Sequence, residues 1–165
     1  DGEILVKGEN VMLGYWNNEQ ETDKVLKDGW LHTGDIGIFE NGYLKITDRK
    51  KDILITPGGD NISPVKIENE LSNSNLIDQS IVYGDNKPYL VALLVLSEEN
   101  IDASHEEIEK EINKVNQSLS KIEQIKKFFT ITEKISIENG MLTPTLKLKR
   151  YKIVTKYKNQ FEKLY

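Results

Sequence analysis

The sequence lacks cysteine altogether and is poor in several other features that mark particular protein classes. Without cysteine, a disulfide framework, a thiolate zinc site and a cysteine nucleophile are all excluded. Two histidines are too few for a histidine-rich metal centre. No hydrophobic run approaches the roughly 20 residues of a membrane-spanning helix. We therefore expect neither a metal centre of this kind nor a transmembrane segment in this stretch of chain.

The composition is otherwise that of a globular protein, with 38% hydrophobic and 30% charged residues in 165. This length suffices for one ordinary domain or two small ones, and for a real hydrophobic core. Because the first residue is Asp1 rather than methionine, we expect the sequence to be a fragment of a longer chain.

Charge is distributed unevenly, although the formal net charge is only -5. Residues 147–165 carry seven basic residues and one acidic residue. A basic segment of this kind could bind phosphates, nucleic acid or a membrane surface. It could equally be the solvated, lysine-rich face of a helix. Arg49 and Arg150 are the only arginines among 22 basic residues. These two positions are candidates for a role that depends on the planar donor fork that lysine lacks.

Residue patterns predict an arrangement of strands, turns and helices. Asn41-Gly42 lies between two apolar runs and predicts a hairpin, whereas Ser63-Pro64 and the Ser104–Glu107 spacing are typical helix starts. Residues 90–96 form the most apolar run and predict a central strand covered on both faces. Apolar residues at helical intervals predict a long helix after Ser104 and a last helix with one buried face. The apolar residues of the first of these helices are Ile108, Ile112, Val115, Leu119 and Ile122. Those of the last helix are Ile153, Val154, Tyr157, Phe161 and Leu164.

Two acidic or mixed-charge segments could bind a nucleotide. Asp35 in the predicted turn Thr33-Gly34-Asp35 could accept hydrogen bonds from a ribose diol, or simply stabilise its own turn. The run at 48–52 contains Arg49, which could reach a phosphate or ribose, but a charged run is also typical of a solvated linker. His32 beside the first turn is expected to pack rather than to act chemically.

Two loops could approach a ligand. Residues 57–61 contain Gly58 and Gly59, which would let a ligand come close to the backbone, although no Walker phosphate loop is present. Residues 142–150 place Lys147 and Lys149 on a loop that leads into a helix. A lysine delivered there could stabilise charge on a transferring phosphate, or could merely begin a basic helix.

Taken together, these segments resemble the adenylate-forming acyl-CoA synthetases, and most closely the long-chain fatty-acyl-CoA synthetases. The order and spacing of the motifs carry the resemblance across essentially the whole chain. The matching segments are Gly14-Tyr15-Trp16 and residues 29–35, 42–52, 58–64 with Ile67-Glu68, and 143–150.

The resemblance implies an enzyme that joins a carboxylate to ATP and then transfers the acyl group to CoA. It also implies an α+β fold, with residues 1–47 as the last strands of a large N-terminal domain, 48–52 as a hinge, and 53–165 as a small mobile domain. That small domain is expected to have a mostly antiparallel sheet with packed helices. ATP, CoA and Mg²⁺ would be held mainly by the upstream part, so the fragment alone is expected to be inactive.

The resemblance also assigns individual residues. Asp35 and Arg49 match residues that bind the ribose, and Lys51 falls at the hinge position. Gly58 matches a glycine that lines the CoA pantetheine tunnel, and Lys147 matches the lysine that enters the site for adenylation. Lys149 is the alternative for that role. Asp60 departs from relatives that have a phosphate-contacting arginine there, so a phosphate role for this loop is not implied.

Two other interpretations remain open. The chain could belong to another adenylating enzyme, such as an amino-acid-activating domain, or it could be a non-catalytic phosphate-binding module. A nucleic-acid-binding role is not favoured, because Tyr151, Tyr157 and Phe161 are mostly spaced as a helix core rather than interleaved with basic residues on an exposed face. We expect the partners to be small-molecule substrates and the protein's own large domain, in a cytoplasmic protein for which peripheral membrane contact stays open.

Overall fold

The computed structural model of the protein describes residues 2–165. The chain divides into two compact units, the first ending at Ile53 and the second spanning Leu54–Tyr165. Strands and helices occur in both, and most strand pairs are antiparallel. The predicted α+β class is therefore confirmed. Across residues 2–165, no helix combines the length and apolar character that a membrane crossing requires.

The first unit is built around one long strand, β3 (Trp30–Glu40), which pairs antiparallel with three shorter strands. The partners are β1 (Glu3–Val6), β2 (Leu26–Lys27) and β4 (Tyr43–Arg49), and helix α1 (Glu19–Val25) precedes β2. The β3–β4 hairpin turns at Asn41 and Gly42, whose φ angles of 51° and 83° suit a type I′ turn. The hairpin predicted from Asn-Gly is confirmed.

One local prediction for this unit is wrong, and a second is met only in part. Residues 33–35 are not a turn between strands, because they lie within β3 as a bulge between the pairs Glu3–Ile36 and Leu5–His32. The charged run at 47–52, interpreted as a linker or exposed turn, is a turn only at its end. Strand β4 continues through Arg49, and a 3₁₀ turn follows at Lys50–Asp52. In both places, pairing along β3 overrides the local turn signal.

The second unit contains a three-stranded sheet in the order β7 (Ile77–Tyr83), β8 (Leu90–Leu96), β9 (Ile125–Ile131). Strands β7 and β8 are antiparallel, whereas β9 runs parallel to β8 after a crossover through helix α3 (His105–Ser118). A small hairpin of β5 (Leu54–Ile55) and β6 (Asn61–Ile62) precedes helix α2 (Pro64–Ser72). Helices α4 (Arg150–Lys156) and α5 (Lys158–Glu162) end the chain.

Strand β8 is buried along its whole length because apolar residues cover both of its faces. Leu90, Ala92, Leu94 and Leu96 belong to one cluster, and Val91, Leu93 and Val95 belong to the other. The first cluster includes residues of α2 and α3, and the second includes residues of α4 and α5: Ile67, Leu71, Ile108 and Ile112, and then Ile153 and Phe161. The predicted central strand is thus confirmed.

Helix starts follow the sequence signals better than helix ends. Ser63 caps α2, and Ser104 with Glu107 forms the predicted capping box at α3. Helix α3, however, ends at Ser118, and Ile122 lies outside it with 47% exposure. Ser120 and Glu123 form their own side-chain-capped turn there, which competes with continued helix.

One further boundary differs from the sequence prediction, and one strand start is set by a side chain. Strand β9 begins at Ile125, where Asn116 at the end of α3 bonds both the N–H and the carbonyl of Ile125. The last helix is interrupted at Tyr157, where the hydroxyl donates to Glu133 at 2.8 Å and the backbone leaves helical geometry. The buried face predicted for this segment is nevertheless present in both short helices.

Candidate functional site

Asp35 and Arg49, the two residues expected to contact a ribose, lie side by side in the first unit. They stand opposite each other in the antiparallel pair of β3 and β4, and Arg49 Nε is 2.6 Å from Asp35 Oδ1. The Arg49 side chain is 54% exposed and that of Asp35 is 24% exposed. A partly open carboxylate–guanidinium pair presents acceptors and donors from one surface, which suits the two hydroxyls of a diol.

The backbone around Asp35 is held by its neighbours, which leaves the Asp35 carboxylate to pair with Arg49. Thr33 donates its hydroxyl to the Ile4 carbonyl at 2.8 Å and accepts the Asp35 N–H at 3.1 Å. Glu3 accepts the Gly34 N–H at 3.1 Å. Thr33 and Glu3 therefore stabilise the backbone of this bulge, a role that one interpretation of the sequence gives to Asp35.

Glu3 is a charged anchor beside this pair. Its carboxylate lies 2.9 Å from Lys50 Nζ and 3.3 Å from His32 Nδ1, and its side chain is only 10% exposed. The hydrogen bond from Lys50 is the main cause that lowers the pKa of Glu3 to about 2. Sequence reasoning missed Glu3, because a single acid in a short strand forms no motif. His32, expected to pack, contacts this carboxylate.

Asp48 and Lys51 flank Arg49 near the end of the first unit. Asp48 is buried and accepts the Arg49 N–H on Oδ1 at 2.8 Å, while its Oδ2 has no partner within residues 2–165. Lys51 is exposed in the 3₁₀ turn. Its hinge role stays a prediction.

Gly58 lies in the turn between β5 and β6. The Thr56 carbonyl accepts the Gly59 N–H, and the Thr56 N–H donates to the Asp60 carbonyl, both at 2.9 Å. This is a three-residue turn whose last position needs positive φ, and Gly59 supplies it at 87°. The backbone conformation thus favours glycine at position 59. Gly58 is exposed and has no positive φ, so the turn itself does not require glycine at that position. The CoA-binding role of Gly58 stays a prediction.

Asp60, which departs from the family pattern, holds this turn together. Its carboxylate accepts the Thr56 hydroxyl and its N–H donates to the same Thr56 oxygen, both at 3.0 Å. The acidic residue therefore has a structural use here, which differs from the phosphate contact that an arginine would make.

The loop that carries Lys147 repeats the same turn. The Thr143 carbonyl accepts the Leu146 N–H at 2.9 Å, and the Thr143 N–H donates to the Lys147 carbonyl at 2.8 Å. The Thr143 hydroxyl oxygen accepts the Lys147 N–H at 3.0 Å. Leu146 takes the positive-φ position at 59°, where a side chain is strained. Lys147 is exposed, whereas Lys149 is half-buried just before α4.

Arg150, the second retained arginine, lies directly after this loop and forms an ion pair with Glu68 of α2. Because arginine is rare in this lysine-rich sequence, Arg150 was a candidate for a special role. Its partner Glu68 could not be identified from the sequence, because it lies 82 positions away. The structure thus joins Asp35 and Arg49 in the first unit and holds Gly58 and Lys147 on separate loops of the second.

No group of three or more His, Asp or Glu side chains that could bind a metal ion lies in the part of the chain that the structure describes. The resemblance implies that Mg²⁺ is held mainly by the upstream part of the enzyme. No role toward the metal is assigned to any of the described residues.

Comparison with known proteins identifies what the chain is similar to. Residues 51–165 match the family model described as the AMP-binding enzyme C-terminal domain. The whole chain aligns at 36% identity with 31% of a long-chain-fatty-acid–CoA ligase, FadD15, of Mycobacterium tuberculosis. It aligns at 41% identity with 28% of long-chain-fatty-acid–CoA ligase 5 of Rattus norvegicus. The chain therefore spans less than a third of the length of these curated relatives.

A solved structure with a similar fold is also known. The adenylation domain of a carboxylate reductase from Mycobacterium chelonae superposes with a TM-score of 0.90 at 29% identity. The match covers 99% of this chain and 27% of that one. The relatives found by sequence are thus CoA ligases, whereas this solved structure belongs to a reductase, and both are adenylate-forming enzymes.

Proposed function

The chain belongs to the AMP-binding enzyme family and carries its C-terminal domain, and from this premise we propose that it is the C-terminal part of an ATP-dependent long-chain fatty-acid–CoA ligase. One observation carries the proposal: the entire chain aligns with ligases of that name at 36% and 41% identity. The close pairing of Asp35 with Arg49 supports it, because both residues match ribose-binding positions.

The proposed reaction has two steps. The fatty-acid carboxylate attacks the α-phosphate of ATP, and pyrophosphate leaves. The thiol of CoA then attacks the acyl carbonyl, and AMP leaves. Asp35 and Arg49 bind the ribose hydroxyls, and the Lys147 ammonium stabilises negative charge on the carboxylate and α-phosphate during the first step.

In this proposal, residues 1–47 complete a large upstream domain, 48–52 form a hinge, and 53–165 move as one body. Exposed apolar side chains in the first unit support the proposal that residues 1–47 belong to a larger domain, because surfaces of this kind are normally covered by other protein. Trp16 is 92% exposed, Phe39 and Tyr43 are each 79% exposed, and Ile46 is 63% exposed. The remaining strands and the acyl pocket would come from upstream, so the 165-residue chain alone is inactive.

The hinge allows two loops of the small domain to reach the active site one after the other. Lys147 acts during adenylation, and Gly58 lines the path of CoA during thioester formation. Rotation of a rigid domain between the two steps allows one active site to use both loops.

The test uses the complete gene product and measures palmitate-dependent pyrophosphate release. Lys147→Ala is expected to lower this rate by about 10²-fold or more. Thioester formation from pre-made palmitoyl-adenylate should be retained, because Lys147 acts only in the first step. Lys149→Ala is the matched control, and loss in that variant instead would assign the role to Lys149. Unchanged pyrophosphate release in both variants would refute the proposal for this loop.

The same assay separates the alternatives. The solved counterpart with a TM-score of 0.90 is the adenylation domain of a carboxylate reductase, so the acceptor must be tested as well as the acid. Palmitoyl-CoA formation supports the ligase, whereas adenylation without transfer to CoA indicates another adenylating enzyme. Binding of ATP with no pyrophosphate release indicates a non-catalytic phosphate-binding module.

A further inference from the structure

Glu68 and Arg150 form an ion pair in the interior of the second unit. Arg150 Nη2 lies 2.6 Å from Glu68 Oε2, and the side chains are 16% and 9% exposed. Glu68 lies in α2, and Arg150 is the first residue of α4. The pair therefore ties together two helices that are distant in the sequence.

Both side chains also bind the backbone of one residue, Val82 in strand β7. The Val82 N–H donates to Glu68 Oε1 at 2.7 Å, and Arg150 Nη1 donates to the Val82 carbonyl at 3.1 Å. Strand β7 is at the edge of the three-stranded sheet, so its outer backbone groups need partners from outside the sheet. The three residues form a closed set of hydrogen bonds, which we call the Val82 clamp.

Packing of the interior does not by itself require a charged pair at this place. Well-packed apolar residues of similar volume often stabilise a fold as well as a buried ion pair does, because removing two charges from water is costly. What an arginine adds is geometry, since its planar fork can bond a carboxylate and a carbonyl in fixed directions. A lysine could not make both contacts in this way, and lysine is the usual basic residue elsewhere in this chain.

The clamp lies at the base of the loop that carries Lys147. Arg150 is three residues beyond Lys147, and the Lys149 N–H donates to the Met141 carbonyl at 2.8 Å, which closes the loop just before Arg150. A bridge between Leu142 and Leu148 lies inside this closure. The backbone of Arg150 is thus continuous with the closed base of the loop that contains the turn at 143–147.

We propose that Glu68 and Arg150 are positioning residues that fix the Lys147 loop on the sheet through the backbone of Val82. They do not contact substrate, and they act by determining where the Lys147 ammonium lies. The catalytic part of this inference rests on the proposed function. The structural part, that the clamp holds the loop, stands on the contacts alone.

The first experiment tests the structural part in the 165-residue chain by amide hydrogen exchange. In Arg150→Lys we expect the amides of Lys147 and Lys149 to lose at least about tenfold protection, while amides of the buried strand β8 keep theirs. Lys152→Ala, an exposed change on the same helix, is the matched control and should leave the loop unaffected. Unchanged protection of Lys147 and Lys149 in Arg150→Lys would overturn the inference whatever the activity.

The second experiment measures the two half-reactions in the complete protein. Arg150→Lys is expected to lower the kcat of adenylation about tenfold and Arg150→Met about 10²-fold, because displacement of a reacting group by about 1 Å has effects of that size. The KM for ATP and thioester formation from palmitoyl-adenylate should stay near wild type. A merely structural role would instead lower both half-reactions in proportion to the loss of folded protein, and that result would overturn the positioning role.

The double variant Glu68→Leu with Arg150→Met separates positioning from folding. It removes both charges together, so no unpaired buried charge remains, although the Val82 N–H and carbonyl lose their partners. Circular dichroism first establishes that the double variant is folded. Selective loss of adenylation in this folded variant supports the inference, and full adenylation contradicts it. If neither Lys147→Ala nor Lys149→Ala lowers adenylation, the proposed role of this loop fails, while the hydrogen-exchange result still decides whether the clamp holds the loop.

Discussion

The turns at Thr56 and Thr143 have the same hydrogen bonds but different residues at the position that needs positive φ. That position is Gly59 in one turn, with φ of 87°, and Leu146 in the other, with φ of 59°. We therefore predict that Gly59→Ala and Leu146→Gly change stability in opposite directions.

The magnitudes can be worked from the local geometry. A side chain in the left-handed region costs about 1–2 kcal/mol, and the lower chain entropy of unfolded alanine recovers about 0.4–1 kcal/mol. No atom lies within 4 Å of a Cβ built at residue 59, so no clash adds to this cost. Gly59→Ala should therefore destabilise by about 1 kcal/mol. Leu146 is 69% exposed and loses little burial, so Leu146→Gly should stabilise by about 0.5 kcal/mol.

Urea denaturation of the 165-residue chain, followed by circular dichroism, measures both changes, which lie in the second unit. Thr145→Gly is the matched control, because Thr145 lies in the same turn without positive φ. That change should only destabilise, by up to about 1 kcal/mol, since glycine adds entropy to the unfolded chain and relieves no strain. Shifts of the same sign in Gly59→Ala and Leu146→Gly would refute the assignment of strain to Leu146.

Three further changes test the core, the Glu3 anchor and a helix cap. Phe161→Ala should destabilise the second unit by about 3–5 kcal/mol, because its fully buried ring lies 4.7 Å from that of Tyr83; exposed Tyr151→Ala is the control in urea denaturation. The folded pKa of Glu3 is about 2, below its ordinary 4.5, so ionised Glu3 stabilises the first unit above pH 4.5 and that stabilisation is lost as pH falls toward 2. Thermal melts across this range should show a smaller fall for Glu3→Gln than for the wild type, and equal falls would contradict the assignment. Ser104→Ala should cost about 1 kcal/mol by removing the α3 cap, and an unchanged urea midpoint would argue against the capping box.

Sequence signals were sufficient wherever a few neighbouring residues satisfy each other. Asn41-Gly42 sets its own hairpin, Ser63 caps α2, and Ser104 with Glu107 caps α3. Strand β8 was also predictable, because a strand with apolar residues on both faces must be covered on both faces. In each case the information lies within a window no longer than the element itself.

Long-range pairing decided the features that the sequence left unpredicted. Strand β4 includes the charged Asp48 and Arg49 because β3 offers a partner strand beside them. The Val82 clamp joins residues 82 positions apart, and only the fold brings them together. The rarity of arginine marked Arg150 as a candidate, but the sequence did not reveal that its partners are the Glu68 carboxylate and the Val82 carbonyl.

The strain at Leu146 bears on why the Lys147 loop has its present sequence. A glycine there would adopt the observed φ without cost, as Gly59 does in the matching turn. Leucine narrows the backbone conformations open to the loop, and the Thr143 hydroxyl and the Val82 clamp restrict the residues on either side. Strain of this kind is retained at sites where position matters more than stability. We therefore expect Leu146→Gly to separate the two properties in the complete protein, with an unchanged or raised urea midpoint and slower palmitate-dependent pyrophosphate release. Equal adenylation rates in Leu146→Gly and the wild type would show that the loop needs no such restriction to place Lys147.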